Sequence, residues 1–155
     1  MVRILKYCLS VIVFVSLISF LYLQYNSFQK MKVFSDYKSS NYQVGNNKYL
    51  IYFATTPKEQ ELGLSIASVL PKNQGMIFEF PDYGFHSFWM KDMKIGLDML
   101  FIHDEKIVDV LENITPQTYP QTFTSKTPAN KVIEIPLGEA KINKISIGDT
   151  VKKLD

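Results

Sequence analysis

Gly75–Leu111, GMIFEFPDYGFHSFWMKDMKIGLDMLFIHDEKIVDVL, decides the fold. Short runs rich in β-branched and aromatic residues alternate there with Pro, Gly and charged punctuation, the pattern of strands joined by tight turns. Gly75–Phe80 stops at Pro81, and His86–Met90 follows Gly84. Leu97–Ile102 is separated from Ile107–Leu111 by the charged turn Asp104-Glu105. Upstream, Lys48–Ala54 (KYLIYFA) reads as a further strand; downstream, Lys131–Ile135 ends at Pro136 and Asp149–Lys153 follows Gly148. One helix interrupts the series. Thr56-Pro57-Lys58-Glu59 is a capping-box pattern with Pro at the first helical position, and Leu62 and Leu64 supply its apolar side. Seven short strands and one early helix predict a mainly β domain, a compact antiparallel β-sandwich or barrel with one short helix.

The length of 155 residues fits one domain with a genuine core, and a single Cys excludes a disulfide scaffold. Four of the 17 Lys+Arg, namely Arg3, Lys6, Lys30 and Lys32, precede the first acid. From Asp36 onward 13 Lys+Arg face 15 Asp+Glu, a net charge of −2. Nucleic acid is therefore not an expected partner, because phosphate binding needs a concentrated basic face.

Tyr7–Gln29 contains no charged residue, and Tyr7–Leu23 is almost continuously apolar. At about 1.5 Å per residue that run spans roughly 26 Å, near the lower limit for crossing a bilayer. Tyr22 and Tyr25 stand where an interfacial aromatic belt would be. No small-x-small site follows Leu23, which favours an uncleaved transmembrane helix over a cleaved signal peptide. The expected organisation is a membrane anchor over residues 1–29, a polar tether over 30–41 and a β domain over 42–155. Arg3, Lys6 and the terminal amine against Lys30 and Lys32 tilt the orientation toward a cytoplasmic start. The domain would then be extracytoplasmic, periplasmic or at the cell surface. Cys8 opens the apolar run, where a lipoprotein cysteine would follow it, so Cys8 reads as a small lipid-facing hydrophobe.

Catalytic templates are missing: there is no Gly-x-Ser-x-Gly elbow, no His-Glu-x-x-His and no phosphate loop. If His86–Met90 and Leu97–Ile102 form a hairpin closed by Met93–Gly96, Lys91 lies opposite Asp98, with Trp89 alongside as a ligand platform. The more ordinary reading of that geometry is a cross-strand ion pair worth about 0.2–1 kcal/mol beside a packed Trp. Met76, Met90, Met93 and Met99 with His86 and His103 would suit Cu(I), although methionine in strands is more often core filler. No metal or cofactor is expected. Glu79, Asp98 and Glu134 are the carboxylates available for acid–base work.

The chain resembles the uncharacterised family called domain of unknown function 192 over about residues 48–153. The resemblance rests on Glu61-Leu62-Gly63-Leu64, Gly75-Met76-Ile77-Phe78 with Phe80-Pro81, Phe88-Trp89-Met90-Lys91 and Leu97-Asp98-Met99-Leu100-Phe101-Ile102. It continues through Pro116, Val132-Ile133-Glu134-Ile135-Pro136 with Gly138, and Gly148-Asp149. It implies a compact, mainly β domain, in many members behind a signal peptide or membrane anchor, and supplies no reaction. Ser65 and Ala67 stand where members usually carry Met and Arg, and Gly96 stands where a Pro is usual. Trp89, Lys91, Asp98, Glu134 and Asp149 match the family pattern and become the ligand-binding candidates. Their ordinary readings are a turn at Gly148-Asp149 and a buried donor satisfied by Glu134.

The expectation is a membrane-tethered extracytoplasmic β domain that binds a small molecule, a glycan or an envelope protein without doing chemistry. The alternatives are an envelope hydrolase acting through Asp98 and Glu134, or a structural assembly module.

Overall fold

The computed structural model describes residues 12–24 and 32–154. The chain divides into two units, Met1–Ser35 and Asp36–Asp155. In the first, residues 12–24 are helical and exposed throughout, with Ile12, Phe14, Leu17, Phe20 and Leu23 among the uncovered apolar side chains. This helix is roughly 20 Å long. No helix among the described residues is long and apolar enough to cross a membrane. The start of the expected span, Tyr7–Val11 with Cys8, lies outside the described residues, as do Tyr25 and Lys30.

The second unit is mainly β. Its strands are β1 (Ser39–Val44), β2 (Asn47–Ala54), β3 (Gln74–Gly84), β4 (Phe88–Trp89), β5 (Leu97–His103), β6 (Lys106–Ile114), β7 (Thr122–Phe123), β8 (Ala129–Pro136) and β9 (Val151–Lys153). Seven of them form one sheet in the order β6-β5-β8-β3-β2-β1-β9, and β4 pairs with β7 in a separate ribbon. The large sheet curls until its two edges meet at one end. Lys106 bridges Thr150, Ile107 N donates to the Asp149 carbonyl (3.0 Å), and Val151 N donates to the Glu105 carbonyl (2.8 Å). This local seam satisfies edge groups that would otherwise be open to pairing with other chains.

The capping box forms as its residues dictate. Thr56 Oγ1 accepts from Glu59 N (3.2 Å), and the Glu59 carboxylate accepts from Thr56 N (2.8 Å). Helix α1 (Pro57–Leu62) follows and tightens into a 3-10 turn at Gly63–Ile66. Its position between β2 and β3 has a consequence for the sheet. A helical crossover lets consecutive strands run the same way, and β2 and β3 are parallel, in contrast to the all-antiparallel expectation.

Three strand readings need correction. β1 starts within the expected tether, because SSNYQV has little apolar signal; it pairs with β2 through the two-residue loop Gly45-Asn46, and Gly45 has φ 55. A positive φ at the first loop position is the primed hairpin geometry that favours Gly. β3 does not stop at Pro81 but runs to Gly84, with the register shifting between Glu79 and Gly84. Pro is tolerated at such an irregularity, where no ladder donor is required. His86–Met90 is a strand only at Phe88–Trp89, and it pairs with β7, not with β5.

Strand alternation then divides the sheet into two faces. Tyr49, Ile51, Ile77, Leu100, Ile102, Ile133 and Ile135 fill the inside of the curl and form one core cluster with Val44 and Val151. Met76, Phe78, Met99, Phe101, Val132 and Glu134 face the other way, and all are buried. The Phe88 ring packs edge-on to Phe78 at 5.2 Å and Phe101 at 6.1 Å, so β4 covers part of this outer face. A second short helix, α2 (Glu139–Ile142), follows β8.

Candidate functional site

The outer face is not fully covered. Between α1 with its 3-10 turn and the β4 segment lies a cleft of about 230 Å³, with Glu134, Phe78 and Phe80 lining it from the sheet. Gln60, Glu61, Leu62, Gly63 and Leu64 form one wall, and Ser87, Phe88, Trp89, Lys91 and Met93 form the other. A neighbouring hollow of about 200 Å³ shares Glu61, Leu62, Trp89 and Lys91 with it and adds Lys58, Ser65 and Asp92. Gly63 makes the first wall possible. Its φ of 47 and ψ of −136 lie in a region essentially restricted to glycine, and a Cβ there would sit 3.4 Å from Phe78 Cζ.

Glu134 is the unusual group. It is 5% exposed and lies opposite Met76 on β3 and Met99 on β5, so its sheet neighbours offer no charge. Among the described residues no fully occluded side-chain polar atom lacks a hydrogen bond. The Glu134 carboxyl, which no described residue hydrogen-bonds, therefore opens onto the cleft it lines. Burial pushes this carboxyl up to about 8, because little compensates the ion for lost water. At neutral pH it is mostly the neutral acid.

Trp89 and Lys91 stand at the rim. Trp89 is 53% exposed, and Lys91 Nζ lies 6.0 Å from its ring centroid. The expected Lys91–Asp98 pair does not form, since β4 pairs with β7 and Asp98 lies opposite Ile135 in the sheet. Asp98 is 0% exposed and shares the inner face with Ile135. Its Oδ1 accepts from Asn113 N (2.8 Å) and its Oδ2 from Ala140 N (2.9 Å). Asp98 thus ties β5 to the end of β6 and to the first turn of α2. Glu134 faces outward with Met99, so the two acids stand on opposite faces and form no acid–base pair.

Asp149 also sits away from the cleft, at the seam. Its Oδ2 accepts from Ser146 N (2.8 Å) and its carbonyl from Ile107 N (3.0 Å), which makes it a turn residue leading into β9. Of the five sequence candidates, the structure gathers Trp89, Lys91 and Glu134 into one cleft and places Asp98 and Asp149 in supporting roles. Phe78, Phe80, Phe88 and the α1 wall were not among the candidates. The Glu61-Leu62-Gly63-Leu64 segment was the available signal, as a Gly just after a short capped helix marks a chain reversal.

The methionine and histidine set is dispersed in role. Met76, Met90 and Met99 are core residues, His86 stacks on Phe80 at 3.6 Å, and His103 stacks on Tyr83 at 4.4 Å. Among the described residues no group of three or more His, Cys, Asp or Glu could hold a metal. Inside the curl, Glu139, Tyr49 and Asn143 form a closed network, with Tyr49 Oη donating to Glu139 Oε2 at 3.1 Å and Asn143 Nδ2 donating to the same oxygen at 2.9 Å. Burial pushes the Tyr49 phenol up.

Fold and cleft together define a small curled-sheet β domain with a hollow on its outer face. The chain belongs to the family described as DUF192, Uncharacterized ACR, whose profile matches residues 40–153. A structure of a candidate transcription regulator from Sinorhizobium meliloti 1021 is similar to it, with TM-score 0.71 and 27% identity over 76% of this chain and 95% of that one. A protein of unknown function from Novosphingobium aromaticivorans DSM 12444 is similar with TM-score 0.66 and 26% identity, covering 75% of this chain and 84% of that one. No curated protein matches the chain.

Proposed function

We propose that the domain is a non-catalytic binding module that takes a small, partly apolar ligand into the cleft over Glu134. One observation carries this reading: a nearly buried carboxyl, without a hydrogen-bond partner among the described residues, opening into a hollow walled by Phe78, Phe80, Phe88 and Trp89. Natural proteins pair their buried polar groups, so an unpaired one facing a cavity signals a partner that arrives from outside. The volume of about 230 Å³ suits a small molecule or a single side chain of an envelope partner, not an extended glycan.

The reading includes attachment of the amino terminus to a membrane, with the domain on the extracytoplasmic side. Its support is the uncharged stretch Tyr7–Gln29 and the helix at residues 12–24, whose apolar side chains are exposed all round. A regulator's role by nucleic-acid binding is not adopted, because the net charge of −2 from Asp36 onward does not favour phosphate binding.

Trp89 is the single Trp of the chain and stands at the cleft rim, so its emission reports on occupancy. A fluorescence and thermal-shift screen of the full chain against amino acids, amines, short sugars and fatty acids tests the reading. A saturable Trp89 response with a matching thermal shift supports it when the thermal shift is lost in Trp89→Ala and both signals are lost in Gly63→Val. A ligand that shifts melting equally in both variants would place the site elsewhere. Resistance to carbonate extraction, with release by detergent, tests the membrane attachment.

A further inference from the structure

Resting on that reading of the cleft, we infer that its ligand carries an amine, which donates as an ammonium group into Glu134 while a short apolar portion lies between the aromatic walls. In its ionised form Glu134 can only accept hydrogen bonds, and no described residue donates to it to stabilise that form. The donor must come with the ligand. Lys91 also lines the cleft, yet its Nζ lies over Trp89 at 6.0 Å and makes no ion pair among the described residues. The other polar groups facing the hollow are Gln60, Glu61 and Ser87. Glu61 puts a negative charge at the exposed rim, opposite in sign to Lys91 on the other wall. From β3 and β5 the neighbours of Glu134 are Met76 and Met99, neither titratable.

The aromatic walls point the same way. Phe78 and Phe88 meet edge to face at 5.2 Å, and Trp89 is half uncovered beside them. Faces of this kind attract ammonium groups, more strongly where water is excluded. A carboxylate or phosphate ligand would meet Glu61 with like charge at the rim and oppose ionisation of Glu134, and a plain hydrocarbon would leave the ionised Glu134 without a donor. The volume of about 230 Å³ limits the ligand to a short chain.

Binding is then coupled to a proton. The empty cleft holds Glu134 as the neutral acid, raised to about 8, and the entering ammonium pairs with the ionised form. Each ligand bound below that value displaces one proton from Glu134. Apparent affinity scales with the ionised fraction, so it falls about tenfold for each pH unit below 8.

The test is a Trp89 fluorescence titration of the full chain with n-butylammonium, n-butanol and butyrate, at pH 6 through pH 9. The expected result is n-butylammonium binding at least about tenfold more tightly than n-butanol at pH 8, with affinity dropping toward pH 6. Butyrate should bind weakest, and Glu134→Gln should abolish both the preference and the pH slope. If n-butanol or butyrate binds as well as the ammonium, the amine assignment falls and the cleft reading stands. If none of the three changes Trp89 emission, both fall. The wild-type comparison of probes decides the matter even where Glu134→Gln alters folding.

Discussion

Asp98 and Glu134 lie on neighbouring strands, one residue apart in register, and both are buried, yet their surroundings differ in kind. Asp98 faces the inside of the curl and has both oxygens filled by backbone donors, Asn113 N and Ala140 N. Glu134 faces outward into a hollow and has no donor among the described residues. The same chemistry, a carboxyl removed from bulk water, serves as a strut in one place and as an open acceptor in the other. A filled acceptor stabilises the fold; an unfilled one costs stability until a partner arrives.

Breaking the filled side should have the largest effect. Asp98→Ala orphans two backbone amides at about 1–3 kcal/mol each, so a loss of roughly 3 kcal/mol or more is expected in denaturant unfolding. Asp98→Asn keeps one acceptor and should lose less. Equal and small losses in both variants would show that the two amides find other partners.

The open side should respond with the opposite sign. The folded state holds the Glu134 proton up to about 8, whereas an unfolded chain releases it near the ordinary 4.5. Between these values the folded state binds more protons, so stability is fully present below about 4.5 and declines as pH rises toward 8. Glu134→Gln should flatten this decline and, at pH 8, stabilise by up to a few kcal/mol. A wild-type melting curve unchanged from pH 5 to pH 8 would contradict it.

Smaller effects sharpen the contrast. Gly63→Ala forces a side chain into the φ 47, ψ −136 conformation and toward Phe78, an expected cost of about 1–3 kcal/mol that also narrows the cleft. Trp89→Ala should change stability by roughly 0.5 kcal/mol or less, because the ring is 53% exposed, while removing the cleft rim. A larger loss, measured by thermal melting, would make Trp89 a packing residue.

Much of this was legible in the sequence, and the misses share a cause. The capping box at Thr56–Glu59 is purely local, and it formed as its residues dictate. The apolar runs at Lys48–Ala54, Leu97–Ile102 and Lys131–Ile135 became β2, β5 and β8. Pairing is not local. The parallel β2–β3 arrangement and the docking of β4 on β7 depend on the crossover and on Phe88 finding Phe78 and Phe101, which no window of sequence displays. β1 escaped because its six residues are mostly polar, although the Gly45-Asn46 turn signal was present. For the site, Trp89, Lys91 and Glu134 stood out as residues, but which face of the sheet each acid occupies is set by register. One residue of register separates Asp98 from the cleft.

The most direct measurement is a carbon-13 NMR titration of the glutamate side-chain carboxyls, with the Glu134 resonance assigned by its disappearance in Glu134→Gln. The account predicts a midpoint near 8 in the empty protein. A midpoint near 4.5 would mean that water or a protein donor already satisfies Glu134, and the cleft would lose the group that makes it a site.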